Sequence, residues 1–128
     1  MKKELLCILK KYETHPDFLG DTIEDVNQVG GMNDTVLHIA ARNNSLNDAL
    51  VVLQNGALID LKGDLGYTPL HYACMFGNIE MVKLLLDNDS DKNIQNEFGE
   101  NAVSIAINSS SENKEKIVKL LNDFKKCK

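Results

Sequence analysis

The sequence predicts an all-α fold, a solenoid of stacked helix-turn-helix units, because three observations agree. One segment recurs at a constant interval of 33 residues: Thr35–Ala41 (TVLHIAA), Thr68–Cys74 (TPLHYAC) and, less closely, Asn101–Ile107 (NAVSIAI). Apolar residues within the units recur at helical spacing, and helix-starting and helix-ending residues fall at matching places. A constant period of this length indicates supersecondary modules stacked on their neighbours. Such a stack has no enclosed pocket, so we expect its working residues on an elongated outer surface.

The middle unit reads as turn, helix, turn, helix. Thr68 followed by Pro69 indicates a helix start, since proline suits the first helical turn. Gly77 ends this helix because glycine reaches the left-handed conformation at low cost. A second helix is predicted over residues 79–87. The apolar positions of the two helices are Leu70, Ala73 and Cys74, then Ile79, Val82, Leu85 and Leu86.

The first and third units follow the same plan with local departures. Asn44 takes the place of Gly77 in the first unit, and asparagine is the next best residue for a left-handed conformation. The second helix of the third unit is displaced by three further residues, so the loop around Ser109–Glu112 is longer. That unit also has Asn101, Ala102 and Ser104 where the middle unit has Thr, Pro and His, which puts the geometry of its turn in question.

An open stack needs lids at both ends. We expect the N-terminal lid to be a helix over Lys2–Tyr12, followed by a second short helix starting at residues 14–17, where a capping-box pattern occurs. The last helix, with its cationic tail 125–128, should close the other end. The side chains expected to face inward are Leu5, Leu6, Ile8 and Leu9 in the first helix and Phe18, Leu19 and Ile23 in the second.

The domain organisation follows from these units. We expect one domain over residues 1–128: an N-terminal cap at 1–26, well-formed repeats at 27–59 and 60–92, and a degenerate repeat with the C-terminal cap at 93–128.

Composition narrows the class of protein. The chain has 128 residues, is 43% hydrophobic and carries a net charge of −5, with residues 12–113 contributing −12. An acidic body repels phosphate backbones, so nucleic acid is not expected as a partner, whereas a basic protein would be attracted.

The N-terminal apolar run is too short for a membrane span and no cleavage site follows it, so we expect a cytoplasmic protein that is intact at its N-terminus. The three cysteines are odd in number and far apart, so we expect no disulfide framework. The abundance of lysine and asparagine suggests an AT-rich, bacterial source.

The residues Thr68–Cys74 resemble the signature of the ankyrin repeat, and the resemblance continues through Gly77–Leu86. It is close over residues 35–99, weaker over 100–124 and absent from 1–25. The resemblance implies paired helices stacked into a curved array, with extended β-turn fingers projecting from one side. It also implies a binding module without catalysis.

Two histidines and a cysteine are candidates for chemistry. His38 and His71 occupy the same place in successive units, and the resemblance implies that such a histidine bonds backbone near the finger. A metal site is the alternative, but one repeat separates the two backbones by ~10 Å. His71 and Cys74 lie three residues apart, which could mimic a nucleophile and its base, yet Cys74 stands where the first unit has Ala41. We therefore expect a structural thiol, no catalytic residue, no metal and no cofactor.

The resemblance also indicates where a partner would bind. Three apolar residues stand just before the glycine position of the fingers, and variable positions follow the finger and end the first helix of each unit. Aromatic and Met residues inside a charged rim are typical of protein interfaces. The alternative is that Leu65 and Phe98 fold back between neighbouring fingers. The predicted partner-binding residues are Met32, Asp34, Arg42, Asp64, Leu65, Tyr67, Met75, Phe76, Glu97, Phe98 and Glu100.

The functional hypothesis is a monomeric, non-catalytic module that binds another protein. Its most specific form is an immunity protein that neutralises a cognate toxin, with a basic toxin or nuclease domain as partner. A generic scaffold or regulator, including an effector acting on a host protein, is the second hypothesis. An enzyme or metal protein using His71 and Cys74 is the third.

Overall fold

The computed structural model describes residues 3–124, and within that range the chain forms seven α-helices and no β-strand. A short 3-10 turn, Asp64–Gly66, precedes the fourth helix. The all-α prediction is therefore confirmed. The helices are α1 (Lys3–Glu13), α2 (Val36–Asn43), α3 (Leu46–Gln54), α4 (Pro69–Met75), α5 (Ile79–Asp87), α6 (Ala102–Asn108) and α7 (Lys114–Asp123).

The helices lie in two rows, as a solenoid requires. An inner row is formed by α2, α4 and α6, each packed on the next, and an outer row by α1, α3, α5 and α7. Helices α2 and α3, α4 and α5, and α6 and α7 pack together as pairs across the rows. Ala40, Ala73 and Ala106 recur at intervals of 33 residues in the inner row and are fully buried. Their small side chains allow close packing between successive inner helices.

Local sequence determines where the inner helices begin. The hydroxyl oxygens of Thr35 and Thr68 accept the backbone N–H of His38 and His71, and each histidine ring accepts the threonine N–H in return. Asn101 caps α6 with its side-chain oxygen, which accepts the N–H of Ser104 at 2.9 Å. Each cap satisfies an amide that the first helical turn cannot satisfy by itself.

The predicted helix ends are also confirmed. Asn44 follows α2 with φ at 59°, and Gly77 follows α4 with φ at 69°, so both adopt the left-handed conformation. Their backbones close the helix ends, because Asn78 N donates to Ala73 O at 2.9 Å and Ser45 N donates to Ala40 O at 2.9 Å. The second helix of the middle unit runs from Ile79 to Asp87, as the pattern predicts.

The prediction of a second short helix near residue 14 was wrong. The chain makes one turn, in which Phe18 N donates to His15 O at 2.9 Å, and then leaves the helical conformation. Leu19 and Gly20 have φ of 51° and 85°, which ends the turn and directs Leu19 to the surface. Phe18 and Ile23 are buried as expected, whereas Leu19 is exposed.

The N-terminal lid consists of helix α1 and this turn. In α1, Leu5, Ile8 and Leu9 are buried, but Leu6 is exposed, contrary to the sequence-based expectation, because it lies on the side of α1 away from the stack. Tyr12 donates a hydrogen bond to Asp48 of α3 at 2.7 Å, and Lys11 pairs with the same carboxylate. Helix α1 extends the outer row, while the turn that follows it contacts the inner helix α2 through Asp17, whose carboxylate lies 3.5 Å from the Arg42 guanidinium.

The last helix is tied to the unit before it. The Lys92 ammonium donates to Leu121 O at 2.6 Å, which satisfies a carbonyl at the end of α7. The cationic tail 125–128, including Cys127, lies outside the described residues. No helix described in residues 3–124 is long and apolar enough to cross a membrane.

Candidate functional site

Three hairpin loops project in front of the inner helices, and we call them fingers 1, 2 and 3: residues 30–34, 63–67 and 96–100. Each is closed by one backbone hydrogen bond, from Gly30 N to Asp34 O, Gly63 N to Tyr67 O and Asn96 N to Glu100 O, at 2.9, 2.8 and 2.9 Å. Finger 3 therefore keeps the geometry of the other two despite the altered sequence that follows it.

The tip of each finger carries one exposed apolar side chain. The fourth residue of each finger, Asn33, Gly66 or Gly99, has a positive φ between 64° and 79°. The residue before it lies at the surface: Met32, Leu65 and Phe98 are 54%, 47% and 63% exposed. We call these three residues the fingertip strip. Leu65 and Phe98 are thus exposed rather than buried between neighbouring fingers.

The fingers are bonded to one another in sequence. Asp64 N of finger 2 donates to the Asp34 carboxylate of finger 1 at 3.0 Å. Glu97 N of finger 3 donates to Leu65 O of finger 2 at 3.0 Å. Gly31 N of finger 1 donates to Asp17 O of the N-terminal turn. These links hold the fingertip strip as one row.

His38 and His71 connect each inner helix to the following finger. Nδ1 of His38 accepts Thr35 N–H at 3.1 Å, so the proton is on Nε2, which donates to Leu61 O at 2.8 Å. His71 repeats this pattern, accepting from Thr68 N at 2.9 Å and donating to Glu100 O at 3.0 Å. Both rings are buried, and both nitrogens of each ring are bonded to backbone groups. The expected structural role is confirmed.

Burial determines the charge state of these rings. Loss of solvent lowers the pKa of both His38 and His71 below the ordinary value of 6.5, and this effect outweighs the opposing carbonyls and the nearby carboxylates of Asp34 and Glu100. The neutral form also suits the bonding, because a protonated Nδ1 could not accept the threonine N–H. The histidines therefore remain neutral at pH 7.

Cys74 is packed as a small apolar residue in the inner row. It is fully buried, and burial raises the pKa of its thiol to about 12. A thiol in that state is a poor nucleophile. Among residues 3–124, no group of three or more His, Cys, Asp or Glu side chains is arranged to hold a metal ion.

Asp34 does not belong to a charged rim, and this part of the sequence-based prediction was wrong. It is buried because two groups of the next unit converge on its carboxylate. Asp64 N donates to Oδ1, and the Tyr72 hydroxyl donates to Oδ2 at 3.0 Å. Asp34 therefore joins finger 1 to α4 instead of facing a partner.

Arg42 is also engaged within the chain. Its guanidinium lies 3.5 Å from the Asp17 carboxylate and 5.6 Å from the centre of the Tyr72 ring. The ring of Tyr72 in turn stacks on Tyr67, with centroids 5.4 Å apart. Sequence reasoning missed Asp17 and Tyr72, since Asp17 lies in an irregular turn and Tyr72 stands where the other units have Ile39 and Ile105.

The remaining predicted partner-binding residues lie at the end of α4 and along fingers 2 and 3. Phe76 is 51% exposed and ends α4 beside the partly buried Met75, about 10 Å along the helix from finger 2. Tyr67 is partly exposed at the base of finger 2. The acidic side chains lie along fingers 2 and 3: Glu97 is exposed, Asp64 and Glu100 are partly exposed, and Glu100 accepts a hydrogen bond from the Asn96 amide at 3.1 Å.

Comparison with known proteins agrees with this geometry. A family model described as ankyrin repeats (3 copies) matches residues 4–96 and 37–128. The two matches together span nearly all of the chain, and they include the fingers and both helix rows.

Relatives with known names share parts of this chain. The palmitoyltransferase ZDHHC13 of Homo sapiens is 39% identical over 83 residues, which cover 64% of this chain and 13% of that protein. A protein of Rickettsia bellii named as an ankyrin repeat protein is 36% identical over 83 residues, covering 62% of this chain and 25% of that protein. The palmitoyltransferase ZDHHC17 of Rattus norvegicus is 39% identical over 71 residues, which cover 55% of this chain and 11% of that protein. The chain thus spans a quarter or less of these relatives.

Proposed function

This chain belongs to the ankyrin repeat family and is a protein–protein interaction module, and from that premise we propose that it binds one partner protein through the fingertip strip and Phe76. We further propose that the partner is a basic toxin domain and that the chain is its immunity protein. Binding alone would neutralise the toxin, by covering its working surface.

The observation that carries this proposal is the exposure of the fingertip strip. Met32, Leu65 and Phe98 occupy equivalent positions in three successive units, and each is about half exposed or more. A contiguous apolar patch on a soluble protein commonly marks an interaction site. Scattered apolar exposure would need no such explanation, but these three side chains share one row.

Rigidity of this row favours tight binding. Each finger is closed by its own backbone hydrogen bond. Finger 2 is linked to finger 1 through the Asp34 carboxylate and to finger 3 through a backbone hydrogen bond. A surface that is ordered before the encounter loses little conformational entropy when the partner binds. An immunity protein needs such affinity, because residual free toxin would act on the cell that makes it.

Charge favours a basic partner. Asp64, Glu97 and Glu100 lie beside the apolar tips, and none of them pairs with a lysine or arginine within residues 3–124. Complementary charge accelerates encounter and discriminates between partners more than it adds affinity. A toxin domain that acts on nucleic acid carries such a basic face, since its substrate is a polyanion.

The proposed mechanism uses no catalysis by this chain. Burial keeps both histidines neutral, and burial also raises the pKa of the Cys74 thiol to about 12, which makes it a poor nucleophile. The conclusion about function therefore depends on the surface rather than on reactive groups.

The test is a co-expression experiment with the reading frames that flank this one in its genome. One flanking product should stop growth when expressed alone, and co-expression of this chain should restore growth. The double variant Leu65→Ala/Phe98→Ala should lose protection, whereas Leu50→Ala, which removes an exposed leucine from the outer row, should keep it. If no flanking product is toxic, or if the double variant protects fully, the immunity proposal is wrong; a bound partner that is not a toxin would then favour a scaffold.

A further inference from the structure

Fingers 2 and 3 share a feature that finger 1 lacks. Each has a carboxylate immediately before its apolar tip, Asp64 before Leu65 and Glu97 before Phe98, whereas Gly31 precedes Met32. The two tips are in direct contact, because Glu97 N donates to Leu65 O at 3.0 Å. Acidic and apolar groups therefore alternate over one continuous surface.

Carboxylate charge acts on the two tyrosines that lie behind these tips. Burial is the main cause that raises the pKa of Tyr67, and the charge of Glu100, at the end of finger 3, adds to it. Burial likewise raises the pKa of Tyr72, with added effects of Asp34 and Asp64 that are opposed by Arg42. In the part of the chain that the structure describes, no lysine or arginine forms an ion pair with Asp64, Glu97 or Glu100. A cation supplied by a partner would meet carboxylates that no lysine or arginine of residues 3–124 pairs with.

The chain itself contains an example of the complementary chemistry. Arg42 lies over the ring of Tyr72 at 5.6 Å and within 3.5 Å of the Asp17 carboxylate. An arginine can combine both contacts because its guanidinium is planar and weakly hydrated. Tyr72 also stacks on Tyr67, which belongs to finger 2, so the two rings form an aromatic pair that reaches from Arg42 to that finger.

We infer that fingers 2 and 3 form a docking subsite for an arginine-bearing segment of the partner, in which an apolar side chain packs on Leu65 and Phe98 while arginines pair with Asp64 and Glu97. This inference rests on the proposed binding surface and adds the chemistry of the bound segment. The occupant is a basic, mixed arginine–leucine stretch of protein. Finger 1 lies outside the subsite, since it has an apolar tip but no exposed carboxylate.

The experiment uses a short acetylated peptide of arginine, leucine and glycine, titrated into the ¹⁵N-labelled full chain at low salt. Amide shifts are expected at residues 63–67 and 96–100, with smaller shifts in 30–34. The same peptide with citrulline in place of arginine keeps the shape and loses the charge, and it should bind about tenfold more weakly. Binding of the arginine peptide should also weaken as salt is raised.

Two charge-matched variants locate the site. Asp64→Asn/Glu97→Gln removes the proposed contacts, and Glu80→Gln/Glu115→Gln removes two exposed carboxylates from the first turns of α5 and α7. Only the first pair should reduce peptide affinity to the level of the citrulline peptide. If both pairs reduce affinity equally, or if citrulline binds as well as arginine, the subsite is wrong. If the parent chain neutralises a toxin but does not bind the arginine peptide, only this inference is wrong. If it binds the peptide but neutralises no toxin, only the immunity role is wrong.

Discussion

The hydroxyl of Tyr72 donates a hydrogen bond of 3.0 Å to the carboxylate of Asp34, 38 residues earlier in the chain. Asp34 belongs to finger 1 and Tyr72 to the inner helix of the next unit. The same carboxylate accepts Asp64 N from finger 2. One buried side chain therefore fixes the relative position of two units and of two fingers.

Replacement of Asp34 by alanine should weaken the fold. The change leaves the Tyr72 hydroxyl and the Asp64 amide without their acceptor, and each buried group that loses its partner costs on the order of 1–3 kcal/mol. We expect a decrease of about 3 kcal/mol in the free energy of unfolding, measured by urea denaturation. Tyr72→Phe, which removes only one of the two bonds, should lose roughly half as much. Equal midpoints for Asp34→Ala and the parent would show that the carboxylate is not a link between units.

The stability of the fold should depend on pH through His38 and His71. Burial lowers the pKa of both rings in the folded state, while the unfolded chain titrates near 6.5. The unfolded state therefore binds more protons below pH 6.5, so stability is complete above this pH and decreases as pH falls through it. The charged groups near His38 are Asp34 and Arg42, and those near His71 are Glu100 and Lys62. With these charges included, the pKa of both rings is still lowered.

An NMR titration checks this prediction directly. The Cε1–H signals of His38 and His71 should keep their neutral shifts to below pH 6.5, and urea denaturation at pH 7.5 and 5.5 should show the lower stability at 5.5. Midpoints at or above 6.5 for these two signals would contradict the assignment. His71→Ala should remove part of the pH dependence between 5.5 and 7.5.

Features set by local sequence were predictable. Pro69, Gly77 and Asn44 act through their own backbone conformation, so the ends of α4 and α2 follow from nearest neighbours alone. The turn after α1 was not predictable in this way. A capping pattern at Thr14 favours a helix, but the chain leaves the helical conformation at Leu19, which has a positive φ and directly follows the buried Phe18.

In the candidate site, too, features set by local sequence were predictable and features set by the neighbouring unit were not. Asp34 and Glu100 hold equivalent places in fingers 1 and 3, yet only Asp34 is buried. The difference arises from the following unit, which supplies Tyr72 and Asp64 N to Asp34, and sequence spacing alone does not reveal such long-range donors. The fingertip strip was predictable because exposure at a hairpin tip depends mainly on the hairpin itself.

Loss of Arg42 should affect stability before it affects binding. Asp17 is largely buried, and Arg42→Ala would leave its carboxylate without a counter-charge at the junction of the N-terminal turn and α2. We expect a decrease of about 2 kcal/mol in the free energy of unfolding. Arg42→Ala/Asp17→Asn should recover part of this loss, because the buried charge is then absent. Additive losses in the double variant would rule out a direct interaction.

Gly63 is required by space rather than by backbone conformation. A Cβ at this position would overlap the Asp34 carboxylate and come within 3.0 Å of His38 Nε2. Gly63→Ala should therefore destabilise the fold, by roughly 1–3 kcal/mol as in other overpacked sites. Gly31→Ala is the matched control, since its Cβ would meet only Asp17 O at an ordinary 3.5 Å. Similar melting temperatures for the two variants would contradict the close packing between fingers 1 and 2.

Truncation of the fingertip strip should separate binding from stability. Phe98 and Leu65 are 63% and 47% exposed, so their replacement by alanine removes little buried area and should change the free energy of unfolding by less than about 1 kcal/mol. Partner affinity should fall by about 2 kcal/mol or more for a true anchor, measured by calorimetry with the purified partner. Leu50→Ala, at a 39% exposed leucine of the outer row, is the control and should bind normally. An affinity unchanged in both fingertip variants would place the interface elsewhere on the solenoid.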